Sequence, residues 1–174
     1  MYKRQGIDTI EHGPPEPHRD LLEMMLERGS FLVPTMATVH RVAVEGEEWG
    51  VPPAARERAK RELEGRQRVV RAASEMGIRI ATGSDAGARG GYGLLPAREL
   101  ALLVDSGLSP AQAIAAATST AAEALGIEAD LGTIESGKLA DMVVVAGDPL
   151  SDISIFQDRR NIRAVIQAED SLTL

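Results

Sequence analysis

The sequence predicts an α/β protein: parallel β/α units followed by a small antiparallel β appendage. Three observations point there. A grammar of apolar strand, polar tip and helix runs three times between Gly6 and Gly107. Gly29, Gly77 and Gly107 each follow a helical stretch, where a residue free to turn left-handed ends a helix. From Leu131 the pattern changes to short strands between glycine-bearing turns.

The first unit reads GIDTI, then EHGPPEP, then HRDLLEMMLERG. The second reads SFLV, then PTMATVH within a long loop holding Trp49 and Pro52-Pro53, then ARERAKRELEGRQRVVRAASEMG. The third reads IRIA, then TGSDAGARGGYG, then LLPARELALLVDSG. Phe31-Leu32-Val33 is the clearest buried strand. Asp8 and Arg79 interrupt the other two and are expected to face a polar barrel end or helix ends. Ser109-Pro110-Ala111-Gln112 is a helix start, with Ser109 as cap and Gln112 reaching back to it. AQAIAAATSTAAEALG then forms one bent helix or two short ones. In the appendage, Asp141–Val145 and Ile162–Ile166 read as strands, with turns at Gly132, Ser136-Gly137 and Gly147-Asp148-Pro149.

Composition narrows the function. The 174 residues suffice for one sizeable core plus an appendage. A net charge of −7 with 3% aromatics argues against nucleic acid or an anionic membrane as partner. No apolar run is long enough to span a bilayer, and no apolar segment follows the basic MYKRQ as a signal peptide requires. The absence of cysteine excludes disulfides, thiolate catalysis and cysteine-ligated metal. Cytoplasm is the default compartment.

Two residues stand where β/α proteins collect their chemistry. His12 follows the first strand and Asp85 the third, and the C-terminal strand ends are where active sites form. An imidazole nitrogen and a carboxylate oxygen there can share a metal ion. Each also has a plain structural reading: a hydrogen-bonded histidine, and a turn or helix-capping aspartate. The stretch Gly83 to Gly93 fits neither phosphate-loop spacing, which leaves a mobile loop over a pocket or a flexible turn. His18 is expected on the exposed start of the first helix. His40, in the second loop, either touches substrate or faces solvent. Arg56 to Arg71 alternates charge and reads as a solvated helix face with i,i+4 pairs.

Several stretches together carry a resemblance: GIDTIEHG, FLVPT, GIRIATGSDAG, LLVDSGLSPAQAIAAAT, AAEALG and, most specifically, GTIESGKLADMVVVAGDPLSDI. The chain resembles the metal-dependent amidohydrolase superfamily, in the branch of imidazolonepropionase-like and Xaa-Pro dipeptidase-like enzymes, from about Gly6 to Ile166. The resemblance implies the C-terminal part of a TIM-like (β/α)8 metal-dependent hydrolase barrel: about three β/α units, strands 6 to 8, over residues 6–128. Residues 129–174 then form part of a small β-sandwich. It implies His12 as a metal ligand and Asp85 as metal ligand and catalytic proton shuttle. It also implies a divalent cofactor, zinc by family default, and a small-molecule substrate with an amide-type bond.

The chain departs from the family pattern in places. Gly83-Ser84-Asp85 stands where many relatives have Gly-Thr-Asp, and Tyr92-Gly93 where many have His-Gly. Tyr92, with His40, is carried as a candidate substrate contact. The paired histidines after strand 1, the lysine after strand 4 and the histidine after strand 5 have no counterpart. A whole barrel takes about 250 residues. The expectation is therefore a C-terminal fragment, inactive alone, whose missing partner is the N-terminal part of the barrel. MYKRQ resembles the translation of a transposase-type sequencing adaptor, so residues 1–5 are expected to be a non-native leader. The alternatives are half of a split enzyme, a non-catalytic binding or scaffold protein derived from this fold, and a small doubly wound domain. The last does not account for GTIESGKLADMVVVAGDP.

Overall fold

The structure, a computed structural model, describes residues 6–87, 95–167 and 170–172. Its first part is a parallel two-stranded sheet wrapped by helices. Strand β1 (Thr9–Glu11) pairs with β2 (Phe31–Val33) in the register Thr9 to Phe31, Ile10 to Leu32 and Glu11 to Val33. Between them runs α1 (Arg19–Arg28), with His18 exposed at its N-cap. Gly29 ends it at φ 62°, and its amide donates to the carbonyl of Leu26. This left-handed turn, which glycine adopts without penalty, folds the chain back into β2.

The third expected strand is reduced. Ile80 forms a single parallel bridge to Leu32, with Leu32 N donating to Arg79 O and Ala81 N to Leu32 O. Arg79 lies outside the core, its guanidinium 3.8 Å from the centre of the Phe31 ring. It also donates to the Gly29 carbonyl at the end of α1. Its place in an apolar strand is thus explained by a helix end, as the sequence suggested.

The second loop is not a loop throughout. Met36–Glu45 forms a helix, α2, with Met36, Ala37, Val42 and Ala43 buried. Its own N-cap residue, Thr35, caps nothing with its side chain. The missing cap comes from 62 residues away, where Glu99 accepts from Met36 N at 2.9 Å and from Ala37 N at 2.6 Å. Local sequence carries no such signal, so His40 belongs to a helix and not to an open loop.

Helix α3 (Pro53–Glu75) begins with proline in its first turn, where the missing N–H costs nothing. Helix α4 (Leu95–Asp105) follows, then α5 (Pro110–Ala117) and α6 (Ser119–Leu125). The capping box of Ser109 and Gln112 is formed as expected. The alanine-rich stretch is two helices, broken at Thr118 (φ −128°, ψ −95°). The core collects Leu22 and Met25 from α1, Leu32 from β2, Val69 and Val70 from α3, and Leu102 and Leu103 from α4.

The appendage is an antiparallel three-stranded sheet: β3 (Met142–Val145), β4 (Ile162–Gln167) and β5 (Asp170–Leu172), in that order. A 3-10 segment between β3 and β4, Ile153–Gln157, inserts Ile153 and Phe156 into the main core. The sheet is thereby tied to the helices. The appendage is less well covered: Val143 and Val144, on opposite sides of β3, and Leu139 are about half exposed, and Ile134 is 86% exposed. Among the described residues, no helix is long and apolar enough to cross a membrane.

Candidate functional site at the strand ends

His12, Thr35 and Asp85 all follow the C-terminal ends of parallel segments, and all three have left-handed backbones, at φ 67°, 50° and 51°. They are the only non-glycine residues with positive φ among the described residues. Histidine and aspartate tolerate this region, whereas β-branched threonine is a real outlier there. Strain of this kind persists only where surrounding contacts enforce it, and it gathers at functional sites.

The enforcing contacts are visible. His12 N donates to Val33 O at 2.8 Å, and Gly13 N to Glu11 O at 2.8 Å, so the chain turns sharply out of β1. The Thr35 hydroxyl donates to Pro34 O at 2.8 Å. Arg66, buried on α3, sends Nη1 to Pro34 O, Thr35 O and Thr35 Oγ1 at 3.0, 3.0 and 2.9 Å. Its Nη2 donates to Glu62 at 2.5 Å. One guanidinium thus clamps the whole end of β2. Asp85 is held by α2, whose Thr38 hydroxyl is 2.6 Å from Ser84 O and 3.2 Å from Asp85 O. Gly83 makes the close approach possible: a Cβ there would sit 2.5 Å from Val33 Cγ1.

The His12 ring is oriented by the same cluster. Its Nδ1 lies 2.5 Å from Thr35 Oγ1. The hydroxyl has a single proton. With that proton given to Pro34 O, the Thr35 contact is a hydrogen bond when His12 carries its proton on Nδ1; Arg66 Nη1, at 3.5 Å, could donate to the same nitrogen only in the other tautomer, and the shorter Thr35 contact favours Nδ1–H. Nε2 then presents a lone pair outward. A hydrogen bond on one ring nitrogen that frees the other is how a protein prepares a metal-binding imidazole. His12 and the Asp85 side chain are exposed and therefore accessible.

Beneath the site, Glu99 is fully buried. Burial pushes its carboxyl up to about 7, against the pull of the Met36 and Ala37 amides and the charge of Arg66. His40 lies on α2, half-buried. Burial first, and then the charge of Arg98, hold its imidazole below the ordinary 6.5. Tyr92 and the second half of the glycine-rich stretch lie outside the described residues.

Sequence reasoning missed Thr35, Arg66 and Glu99. The reading of Arg56 to Arg71 as a solvated face is corrected at Arg66, which is 9% exposed. A signal existed for two of them. Gly65 inside a helix marks a close contact on Arg66's side. Glu99, Leu102, Leu103 and Ser106 share the i, i+3, i+4, i+7 spacing of a buried stripe, and all four are buried.

As a metal centre the set is partial. Imidazole and carboxylate are the right donor types for a divalent ion, but a catalytic zinc needs three protein ligands. Among the described residues no group of three or more His, Cys, Asp or Glu could hold one.

Comparison with known proteins adds the following. The model of the amidohydrolase family matches residues 1–168. Imidazolonepropionase of Symbiobacterium thermophilum is 40% identical over 77 residues, covering 41% of this chain and 17% of that protein. Ochratoxinase of Aspergillus niger is 27% identical over 164 residues, covering 93% of this chain and 33% of that protein. A crystal structure of a Xaa-Pro dipeptidase with bound methionine in the active site superposes with a TM-score of 0.84 at 33% identity, covering 99% of this chain. The present chain spans 41% of that structure's length and a third or less of the two curated relatives.

Proposed function

Since the chain belongs to the amidohydrolase family, whose matched relatives are hydrolases, we propose that it supplies the C-terminal part of an enzyme that hydrolyses an amide-type C–N bond. Residues 6–128 provide part of a (β/α)8 barrel and residues 129–174 part of a β-sandwich beside it. The exposed apolar side chains of Ile134 and Leu139 before β3, and of Val143 and Val144 on its two sides, support a sheet that is completed by further chain.

The observation that carries the reading is that His12 and Asp85 each follow a strand end and each have a left-handed backbone. His12 would hold a divalent cation through Nε2, and Asp85 through a carboxylate oxygen. When bound, such an ion, zinc in this reading, polarises the scissile carbonyl and acidifies water. Asp85 then takes a proton from the attacking water and delivers it to the leaving nitrogen. The clamp of Arg66 and Thr35 keeps the imidazole aimed. His40 and Tyr92 are assigned to substrate contact. With two of three ligands, the isolated chain is inactive, and the reaction requires the N-terminal part of the barrel.

The test is hydrolysis of a dipeptide and cyclic-amide panel, with zinc present, by this chain alone and together with the N-terminal part of the barrel. Activity is expected only in the combination, and Asp85→Asn should lower kcat by roughly 10²–10⁴-fold. Undiminished turnover in Asp85→Asn would reject the assignment.

A further inference from the structure

Glu99 is an ionisable group that the catalytic reading does not use, and it sits where a charge is costly. Its side chain has no exposed surface. Taking a carboxylate out of water is unfavourable unless good partners meet it, and a well-packed apolar side chain would fill such a place without that penalty. The partners here are the amides of Met36 and Ala37, at 2.9 and 2.6 Å, at the start of α2. The helix dipole favours a negative charge at that end.

A helix start is ordinarily capped by its own N-cap residue, with an extended backbone and a side chain turned back onto the first amides. Thr35 does neither. Its backbone is left-handed, at φ 50° and ψ 46°. Its hydroxyl meets Pro34 O at 2.8 Å, Arg66 Nη1 at 2.9 Å and the His12 ring at 2.5 Å. The residue that would cap α2 is engaged with His12, and the cap comes from α4 instead. Arg66 holds the carbonyls of Pro34 and Thr35, and Glu99 holds the amides of the next two residues. Between them they keep a β-branched residue in a conformation it otherwise avoids.

The same turn reaches the second candidate ligand. Thr38, the third residue of α2, sends its hydroxyl to Ser84 O at 2.6 Å, with Asp85 O at 3.2 Å. Gly83 brings that segment in close, since a Cβ there would lie 2.5 Å from Val33 Cγ1 and 3.2 Å from Thr35 Cγ2. The first turn of α2 therefore borders the His12 ring on one side and the Asp85 backbone on the other.

We propose that Glu99 is a positioning residue for both candidate metal ligands: by capping α2 it fixes the turn from which Thr35 aims the His12 imidazole and Thr38 holds the Asp85 backbone. The roles of His12 and Asp85 rest on the amide-hydrolase reading, which this deepens. Their geometry does not depend on it.

The test is nitrogen NMR of the full chain without added metal, at about pH 8, above the ordinary histidine range. Glu99→Gln keeps the shape but accepts from only one of the two amides, because its NH₂ faces the other. The ring nitrogens of His12 should then shift from the Nδ1–H form toward a tautomer mixture. The backbone amides of Asp85 and Ala86 should shift with them. His18, exposed at the start of α1, is the internal reference and should stay in place. Thr38→Val cuts one arm only: the Asp85 and Ala86 amides should move and the His12 ring should not. A folded Glu99→Gln that leaves the His12 ring or the Asp85 amide unchanged would overturn the proposal. A disturbance that moves His18 equally, or a Thr38→Val that leaves the Asp85 amide in place, would do the same. If Glu99→Gln does not fold, hydrogen exchange of the wild type decides. The Met36 and Ala37 amides should exchange more slowly than the first-turn amides of α1, where His18 makes no side-chain cap, and equal rates would overturn the proposal. None of these readouts needs metal or turnover. The hydrolase reading can therefore fail on its substrate panel while the positioning stands, and the reverse.

Discussion

Replacing Glu99 with glutamine tests the strangest group in the molecule, a carboxyl with no exposed surface that caps a helix 62 residues away. In the unfolded chain it titrates near 4.5, and in the fold it is pushed up to about 7. The folded state therefore holds the proton more tightly. The sign follows from linkage: stability is greatest below about pH 4.5 and falls as pH rises from there through about 7. At ~1.4 kcal/mol per pH unit, the gap corresponds to about 3 kcal/mol. No discount for solvent applies to a fully buried group. Urea unfolding of the chain at half-unit steps from pH 5 to pH 8 measures it. Glutamine removes the titration but can accept only one of the two amides, since its NH₂ would face the other. That leaves an unmatched donor costing about 1–3 kcal/mol at acid pH. His40 works in the opposite sense. Its folded value is lowered, so it adds stability as pH rises through 6.5, and wild-type curves alone mix the two. The difference between wild type and Glu99→Gln cancels the His40 part. A difference that stays flat from pH 5 to pH 8 refutes the reasoning, as does one that grows with pH in the wild type's favour.

Two other perturbations probe the clamp. Gly65→Ala should lose about 1–3 kcal/mol by overpacking against the Pro15 carbonyl, although the same exchange in an open helix gains roughly 1 kcal/mol; chemical denaturation decides between the signs. Thr35→Val keeps shape but removes the hydroxyl, leaving His12 Nδ1 short of a partner at a cost of about 1–3 kcal/mol, while Arg66 Nη1 keeps the Pro34 and Thr35 carbonyls. The nitrogen chemical shifts of the His12 ring should move from the Nδ1–H form toward a tautomer mixture, and identical spectra would show that Thr35 does not set the tautomer.

What the sequence disclosed and what it hid divide by distance along the chain. Phe31-Leu32-Val33, the Gly29 helix end and the Ser109–Gln112 capping box rest on neighbours within a few residues, and they were readable. His12 and Asp85 were singled out because strand ends can be located from pattern, and their metal and proton-shuttle roles came only from the family resemblance. Helix α2 was hidden because its cap is the distant Glu99, and its N-cap residue, Thr35, makes no side-chain cap. Arg66 was hidden among charges that alternate along α3, since one buried arginine there looks like its solvated neighbours. The third strand, legible as IRIA, forms only one bridge. Pairing depends on what stands alongside, and the strand itself does not encode that.

The left-handed trio at the strand ends also bears on inheritance. Each strained non-glycine backbone costs on the order of 1–3 kcal/mol, with Thr35 the least comfortable of the three. A gene copy freed from chemical duty would drift toward glycine at these positions and become sturdier for it. Asp85 would go first, because its side chain is exposed and makes no hydrogen bond among the described residues, whereas Thr35 is buried and its hydroxyl holds Arg66 and His12. Random mutagenesis screened only for heat resistance should therefore recover glycine at position 85 early, removing the carboxylate while the clamp at Thr35 stays.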